Sequence, residues 1–259
     1  MKTAFVTGAC VNTGAAIVEK FLKEGYSVVF TGRDPIKVKN AEEKYRQKFP
    51  SGNVTGYALD SLNADNTVDE KSLDELFIKL DEKGVNIDAL VLNAADLGAG
   101  LKIFESGVND FMRVMNTNVC WNYAIIERAA KRMKENGGGS ITFINSNTAY
   151  RAIPDRIAYE ASKGGQLGMM RGLALDLGKY NIRVNAVLPG MIHTDRTDKN
   201  PEFYKNVPSA HSPLGTIADG EDIADAVWYF AANAKNTTGA ELTVDCGNMI
   251  QLYPLIPKN

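Results

Sequence analysis

Tyr159-Glu-Ala-Ser-Lys163 holds the side chains best suited to chemistry. A tyrosine and a lysine at i and i+4 of a helix project from one face. An ammonium beside a phenol favours the phenolate and lowers a pKa that starts at about 10. A tyrosine so tuned gives or takes a proton near neutral pH, as interconversion of a carbonyl and an alcohol requires. With ten tyrosines in the chain, one such pair can arise by chance, so its surroundings must decide. Ser146 lies thirteen residues earlier, at the end of an apolar run. Asn118 lies within a long helical pattern, where an uncapped asparagine is mildly unfavourable.

The elements that must position these residues alternate from the first residue onward. Thr3–Thr7, Ser27–Thr31, Val54–Leu59, Ala89–Leu92, Ser140–Asn145, Arg183–Leu188 and Leu242–Val244 read as strands, with helical segments between them. Gly14–Glu24 sets Ile17, Val18, Phe21 and Leu22 against a charged face and stops at Gly25. Asp34-Pro35 opens the next helix, as N-cap and first-turn proline. The pattern predicts an α/β protein: one Rossmann-type domain over 1–259, a doubly wound parallel sheet with helices on both faces. Two segments break the rhythm, the polar loop Ser61–Val68 and the longer Met191–Pro213, which reads as a cover over a site.

Thr7-Gly-Ala-Cys-Val-Asn-Thr-Gly14 joins the first strand to the first helix. Ligands of doubly wound sheets bind beyond the carboxyl ends of the strands, where a helix N-terminus offers free N–H groups to a phosphate. Gly8 permits a tight turn and Gly14 a close helix–strand approach; Asn12 replaces the middle glycine of TGxxxGxG and best tolerates positive φ. Two readings stand, a dinucleotide loop or an ordinary turn with two glycines. No Lys-Ser/Thr pair follows, which argues against a P-loop. After the second strand, Gly32-Arg33 stands where an acidic residue would accept from the ribose hydroxyls of NAD. An arginine there pairs with a 2′-phosphate, favouring NADP(H) over NAD(H), although Asp34 dilutes the signal and a solvated arginine is the alternative. Asp60, ending the third strand, is placed to accept from an adenine amino group.

Composition removes other classes. Twenty-nine basic and 31 acidic residues give a net charge of −2, too little positive field for nucleic acid. Three scattered cysteines and two histidines build neither a disulfide framework nor a metal site. No apolar run approaches a bilayer span, and Thr3–Thr7 runs into Gly8 without a cleavage region. A cytoplasmic protein with no membrane partner is expected.

With these motifs in order, the chain resembles the short-chain dehydrogenase/reductase family over nearly its whole length. Thr7–Gly14 matches the glycine motif, Leu92-Asn-Ala-Ala95 the NNAG motif, and Asn118, Ser146, Tyr159 and Lys163 the catalytic tetrad. Pro189-Gly-Met-Ile-His-Thr194, Pro213-Leu-Gly215 and Thr238-Gly239 with Asp245-Cys-Gly247 match further landmarks. Asn12, Leu92, Ala95 and Cys246 depart from the pattern at structural positions. The resemblance implies a hydride-transfer enzyme on a secondary alcohol or ketone, with cofactor binding at about 1–145 and catalysis at about 146–259 under a lid at 191–213. It implies Tyr159 as general acid/base, Ser146 as hydrogen-bond donor to the substrate oxygen, and Lys163 as the group that tunes Tyr159 and holds the nicotinamide ribose. Asn118 would position a water in a relay ending at Lys163. Gly8, Asn12, Thr13, Gly14, Ala94, Pro189, Gly190 and Ile192 would line the cofactor, with Asn93 at its ribose and Thr194 near the carboxamide. Sugar or polyol, steroid and 3-oxoacyl substrates remain open, as does a non-catalytic nucleotide sensor.

Simpler roles are expected elsewhere. Cys10 and Cys120 read as small buried or loop residues, His193 as a cleft residue, and Arg151 and Arg156 as solvated or anion-binding. The tail Met249–Pro257 is unusually apolar. Gly164, Gly165, Gly168, Gly172 and Gly178 cost about 0.8–1.0 kcal/mol each within a helix. Close contact with another subunit would offset that cost, so a homotetramer or homodimer is expected.

Overall fold

In the computed structural model, which describes residues 1–199 and 211–252, the apolar runs pair into one parallel sheet of seven strands. The strands are β1 (Thr3–Val6), β2 (Ser27–Gly32), β3 (Val54–Ala58), β4 (Ala89–Leu92), β5 (Gly139–Ile144), β6 (Ile182–Pro189) and β7 (Glu241–Val244). Their order is β3-β2-β1-β4-β5-β6-β7. Each end agrees with the sequence expectation to within one residue. Period-two side chains feed two cores. Phe5, Val29 and Leu90 face one layer; Ala4, Val6, Val28, Phe30 and Val91 face the other.

The first layer is covered by α3 (Glu70–Glu82), α5 (Trp121–Glu135) and α6 (Ile157–Gly178). The second is covered by α1 (Asn12–Lys23), α2 (Pro35–Lys48) and α8 (Gly220–Trp228). Asp34 caps α2 as its sequence predicts, its carboxylate accepting from Ile36 N at 2.8 Å and Lys37 N at 3.3 Å. Gly25, at φ +80°, ends the first helix. Leu62 and Val68 bridge the polar loop at its base. The helical pattern around Asn118 is not one regular helix: α4 (Val108–Met115) passes into α5 through a π turn over Asn116–Cys120. The wider turn carries Asn118 to full burial.

Between β1 and β4 the sheet changes direction of growth. Crossovers leave these two strands toward opposite edges, which opens a crevice past their carboxyl ends. Every candidate site residue on a strand end faces this edge of the sheet.

Candidate active site

Thr7, just past β1, is the hinge of the crevice. Its hydroxyl accepts from the backbone N–H groups of Asn93 and Ala94, both at 3.0 Å. Asn93 returns the contact, its amide donating to Thr7 O at 3.0 Å and Gly8 O at 2.8 Å. Gly8 sits at φ +64°, and a Cβ on it would lie 2.8 Å from Ala94 Cα. A Cβ on Gly14 would lie 2.5 Å from Gly8 O and 2.7 Å from Ala9 Cα. Asn12 adopts φ +52°, as its residue type allows, and its Oδ1 accepts from Asp195 N at 3.2 Å. That contact joins the loop to α7 (Asp195–Asp198), the helix that Thr194 caps. Tyr45 of α2, buried, donates to Ala9 O at 2.5 Å.

The start of α1 suits a phosphate. Val11 supplies no capping side chain and the first turn, which includes Thr13, has no acidic residue. Its leading N–H groups and dipole are therefore left to an anion in a cradle that glycine keeps open. Arg33 is exposed beyond β2 and makes no ion pair among the described residues. Asp34 makes no ion pair with it among the described residues; its carboxylate accepts from the first N–H groups of α2. Asp60 is exposed past β3, with Oδ1 accepting from Ser61 N at 2.7 Å. At the end of β6, a Cβ on Gly190 would lie 2.6 Å from Asp245 Cβ, so Pro189-Gly190 packs directly on the segment after β7. Ile192 pairs with Ala218 as an isolated bridge.

The proton-handling groups gather around α6. Lys163 is 2% exposed, and its Nζ lies 5.4 Å from the Tyr159 ring centroid. It donates to Ile144 O at 2.7 Å and Gln166 Oε1 at 3.2 Å. Burial pulls the ammonium down to about 7. Ser146 follows β5, and its Oγ accepts from Thr148 N at 3.2 Å and Thr148 Oγ1 at 3.0 Å. With both lone pairs engaged, its own hydrogen is the group left to donate. Asn118 donates to Asp96 O and Ser162 Oγ, each at 2.9 Å, and accepts from Asp96 N at 2.8 Å. Ser162 Oγ donates in turn to Tyr159 O at 2.7 Å. A phenol beside a buried ammonium can exchange a proton with a carbonyl oxygen.

Comparison with known proteins agrees. The family described as enoyl-(acyl carrier protein) reductase matches residues 8–248. The chain is a short-chain dehydrogenase/reductase. It is 33% identical to 3alpha-hydroxysteroid dehydrogenase of Mediterraneibacter gnavus, covering 94% of this chain and 95% of that one. It is 32% identical to a 3-oxoacyl-(acyl-carrier-protein) reductase of Rickettsia prowazekii, covering 96% and 97%. L-sorbose reductase from Gluconobacter frateurii, solved with NADPH and L-sorbose, superposes with TM-score 0.87 at 25% identity, over 97% of each chain. This short-chain dehydrogenase/reductase is an oxidoreductase of CH–OH groups that works with a nicotinamide cofactor.

Around that site, several smaller expectations resolve. Arg151 is exposed, as expected of a surface arginine, and its guanidinium also donates to the carbonyls of Asn248, Met249 and Gln251 at 3.0, 3.0 and 2.6 Å. Arg156 donates to Leu97 O at 2.9 Å. Both arginines brace loops. Cys120 is neither buried nor in a loop; it is exposed within the π turn. Cys10 is half-buried in the glycine loop, packed against Gly32, and burial raises its thiol pKa. His193 is exposed, with its N–H on Ala218 O. Of the expected cover at 191–213, residues 200–210 lie outside the described ones, as does the tail beyond Leu252. Asn145, Thr148, Gln166, Tyr45 and Asp96 were not anticipated. Buried asparagine and glutamine among apolar neighbours were the available signal for Asn145 and Gln166.

Proposed function

We propose that this enzyme interconverts a secondary alcohol and a ketone with NADP(H), Tyr159 serving as general acid/base. The observation that carries the reading is the buried Lys163 ammonium held 5.4 Å from the Tyr159 ring, with no acidic partner to quench it among the described residues. The nicotinamide, when bound, supplies or accepts the hydride. In ketone reduction Tyr159 gives its phenolic proton to the substrate oxygen, and Ser146 Oγ–H donates to the same oxygen as charge develops. Lys163 holds the phenol near its working pKa and holds the nicotinamide ribose. Gly8, Asn12, Thr13 and Gly14 hold the phosphates against α1, while Asn93 and Ala94 line the adjoining wall. Pro189, Gly190, Ile192 and Thr194 hold the nicotinamide end. An exposed Arg33 without an ion-pair partner among the described residues supports the 2′-phosphorylated cofactor, and Asp60 faces the adenine.

A panel of sugar, steroid and 3-oxoacyl ketones, run with NADPH and NADH, tests this reading through absorbance of the reduced nicotinamide. Turnover should prefer NADPH, and Tyr159→Phe should reduce it by at least about a hundredfold while sparing cofactor affinity. Near-normal turnover in that variant would assign the proton to another group.

A homotetramer accompanies this reading. A Cβ on Gly164, Gly168, Gly172 or Gly178 would meet no atom within 4 Å, so the small residues of α6 leave an open face. Leu175 on the same helix is 84% exposed. Cytosolic residence fits the cysteine usage. Light scattering should give about four times 28.2 kDa, and a single species at the monomer mass would refute the assembly.

A further inference from the structure

We propose that Gln166 is a positioning residue for Lys163: its side-chain amide spans the gap from the Asn118 carbonyl to Lys163 Nζ, where the family resemblance implies a relay water. Gln166 is 1% exposed and stands three residues after Lys163 on α6. Its Nε2 donates to Asn118 O at 2.7 Å. Its Oε1 accepts from Lys163 Nζ at 3.2 Å and from Asn145 Nδ2 at 3.1 Å. These partners fix the amide orientation. Reversed, its NH2 would face two donors and its oxygen would face a carbonyl.

The Asn118 carbonyl is thereby filled. It also accepts from Asn122 Nδ2 at 2.8 Å, so both of its lone pairs are engaged. The Asn118 side-chain donors are spent on Asp96 O and Ser162 Oγ. A water held by that carbonyl toward Lys163 would have to displace Asn122 or Gln166. The two acceptors that Lys163 has among the described residues, Ile144 O and Gln166 Oε1, are carbonyl oxygens that hold a proton donor and pass nothing on. Asn118 in this chain braces Asp96 and α6, and Gln166 pins the ammonium. Asn145 locks the arrangement from just past β5, donating to Lys163 O at 2.9 Å as well as to Gln166.

Charged groups on the packed elements turn elsewhere. Arg113 of α4 pairs with Asp96, Asp110 of α4 accepts from Gly107 N, and Arg183 of β6 donates to Phe230 O, Ala231 O and Ala234 O. Tyr150 of the 147–150 turn donates to Glu241. Tyr159 is the titratable side chain that Lys163 meets across its ring.

The inference rests on Tyr159 and Lys163 acting as proposed above, and two measurements separate its failure from theirs. In alcohol oxidation, Gln166→Met should move the acid limb of the kcat/KM profile to higher pH by about one unit, because a less supported ammonium stabilises the phenolate less. Lower activity with that limb unmoved would reduce Gln166 to packing and overturn the proposal. The second measurement needs no altered fold. The chain has three glutamines, Gln47, Gln166 and Gln251, so 15N-labelled side-chain amides resolve readily in the unmutated protein. The Gln166 amide signal should titrate with Lys163 between about pH 6 and 10 and become flat in Lys163→Met. A Gln166 signal already flat in the parent would overturn the proposal, whatever the activity panel gives.

Discussion

The two halves of the crevice are held by different means. On the β1 side, side chains brace backbone: Thr7 and Asn93 tie β4 to the glycine loop, and Tyr45 holds Ala9 O. The loop is shaped by what cannot fit there, since a Cβ at Gly8 or Gly14 would strike main-chain atoms. On the β5 side, side chains brace one another: Asn118, Asn145, Lys163 and Gln166 form a buried cluster of amides around one ammonium. The first half is built by exclusion and leaves its donors to a ligand. The second satisfies its own donors and fixes a single charge. A loop built by exclusion should fail abruptly when volume is added. A cluster built by mutual satisfaction should respond to pH.

The largest break is expected from Gly14→Val. Its added carbons would meet Gly8 O and Ala9 Cα, backbone that cannot swing aside. Overpacking of about 3 kcal/mol at the phosphate cradle corresponds to roughly a hundredfold loss of cofactor affinity. Calorimetry with NADPH checks this, and an affinity within threefold of the parent would show that the loop yields.

A smaller effect sharpens the other side. Burial lowers the Lys163 pKa from 10.5 to about 7, so between these values the unfolded chain binds more protons than the folded one. Stability of the cofactor-free protein should therefore rise with pH across that window, by at most about 1.4 kcal/mol per unit, and be flat below it. Lys163→Met should remove the slope. Urea midpoints at pH 7 and 9 measure it, and equal slopes in parent and variant would place the pH dependence in other groups.

The sheet was legible because parallel strands covered on both faces are near-continuous apolar runs; the inner strands carry that pattern, while the edge strands β3 and β7 are only partly buried. Asn12 was legible too, since few residue types besides glycine reach φ +52° readily. Asp34 illustrates a partial reading: its capping role was visible, but which N–H groups its carboxylate takes needed the structure. The π turn over Asn116–Cys120 was not legible, because one extra residue in a helical turn leaves the local pattern nearly unchanged. Gln166 was missed for a related reason. Helical spacing places it beside Lys163, Leu167 and Met170 on a buried face, and periodicity says nothing of which polar atoms meet there.

Arg151 ties the far end of the described chain to the loop that follows Ser146. One guanidinium gathers three carbonyls from residues 248–251 and belongs to the same loop as Ser146. The turn after Ser146 and this late segment should therefore open as one unit, despite about a hundred residues between them. Hydrogen exchange would register them as a single protection class. A chain cut before Asn248 could keep its sheet and its cofactor loop, yet in an assay it would pass for an active-site mutant.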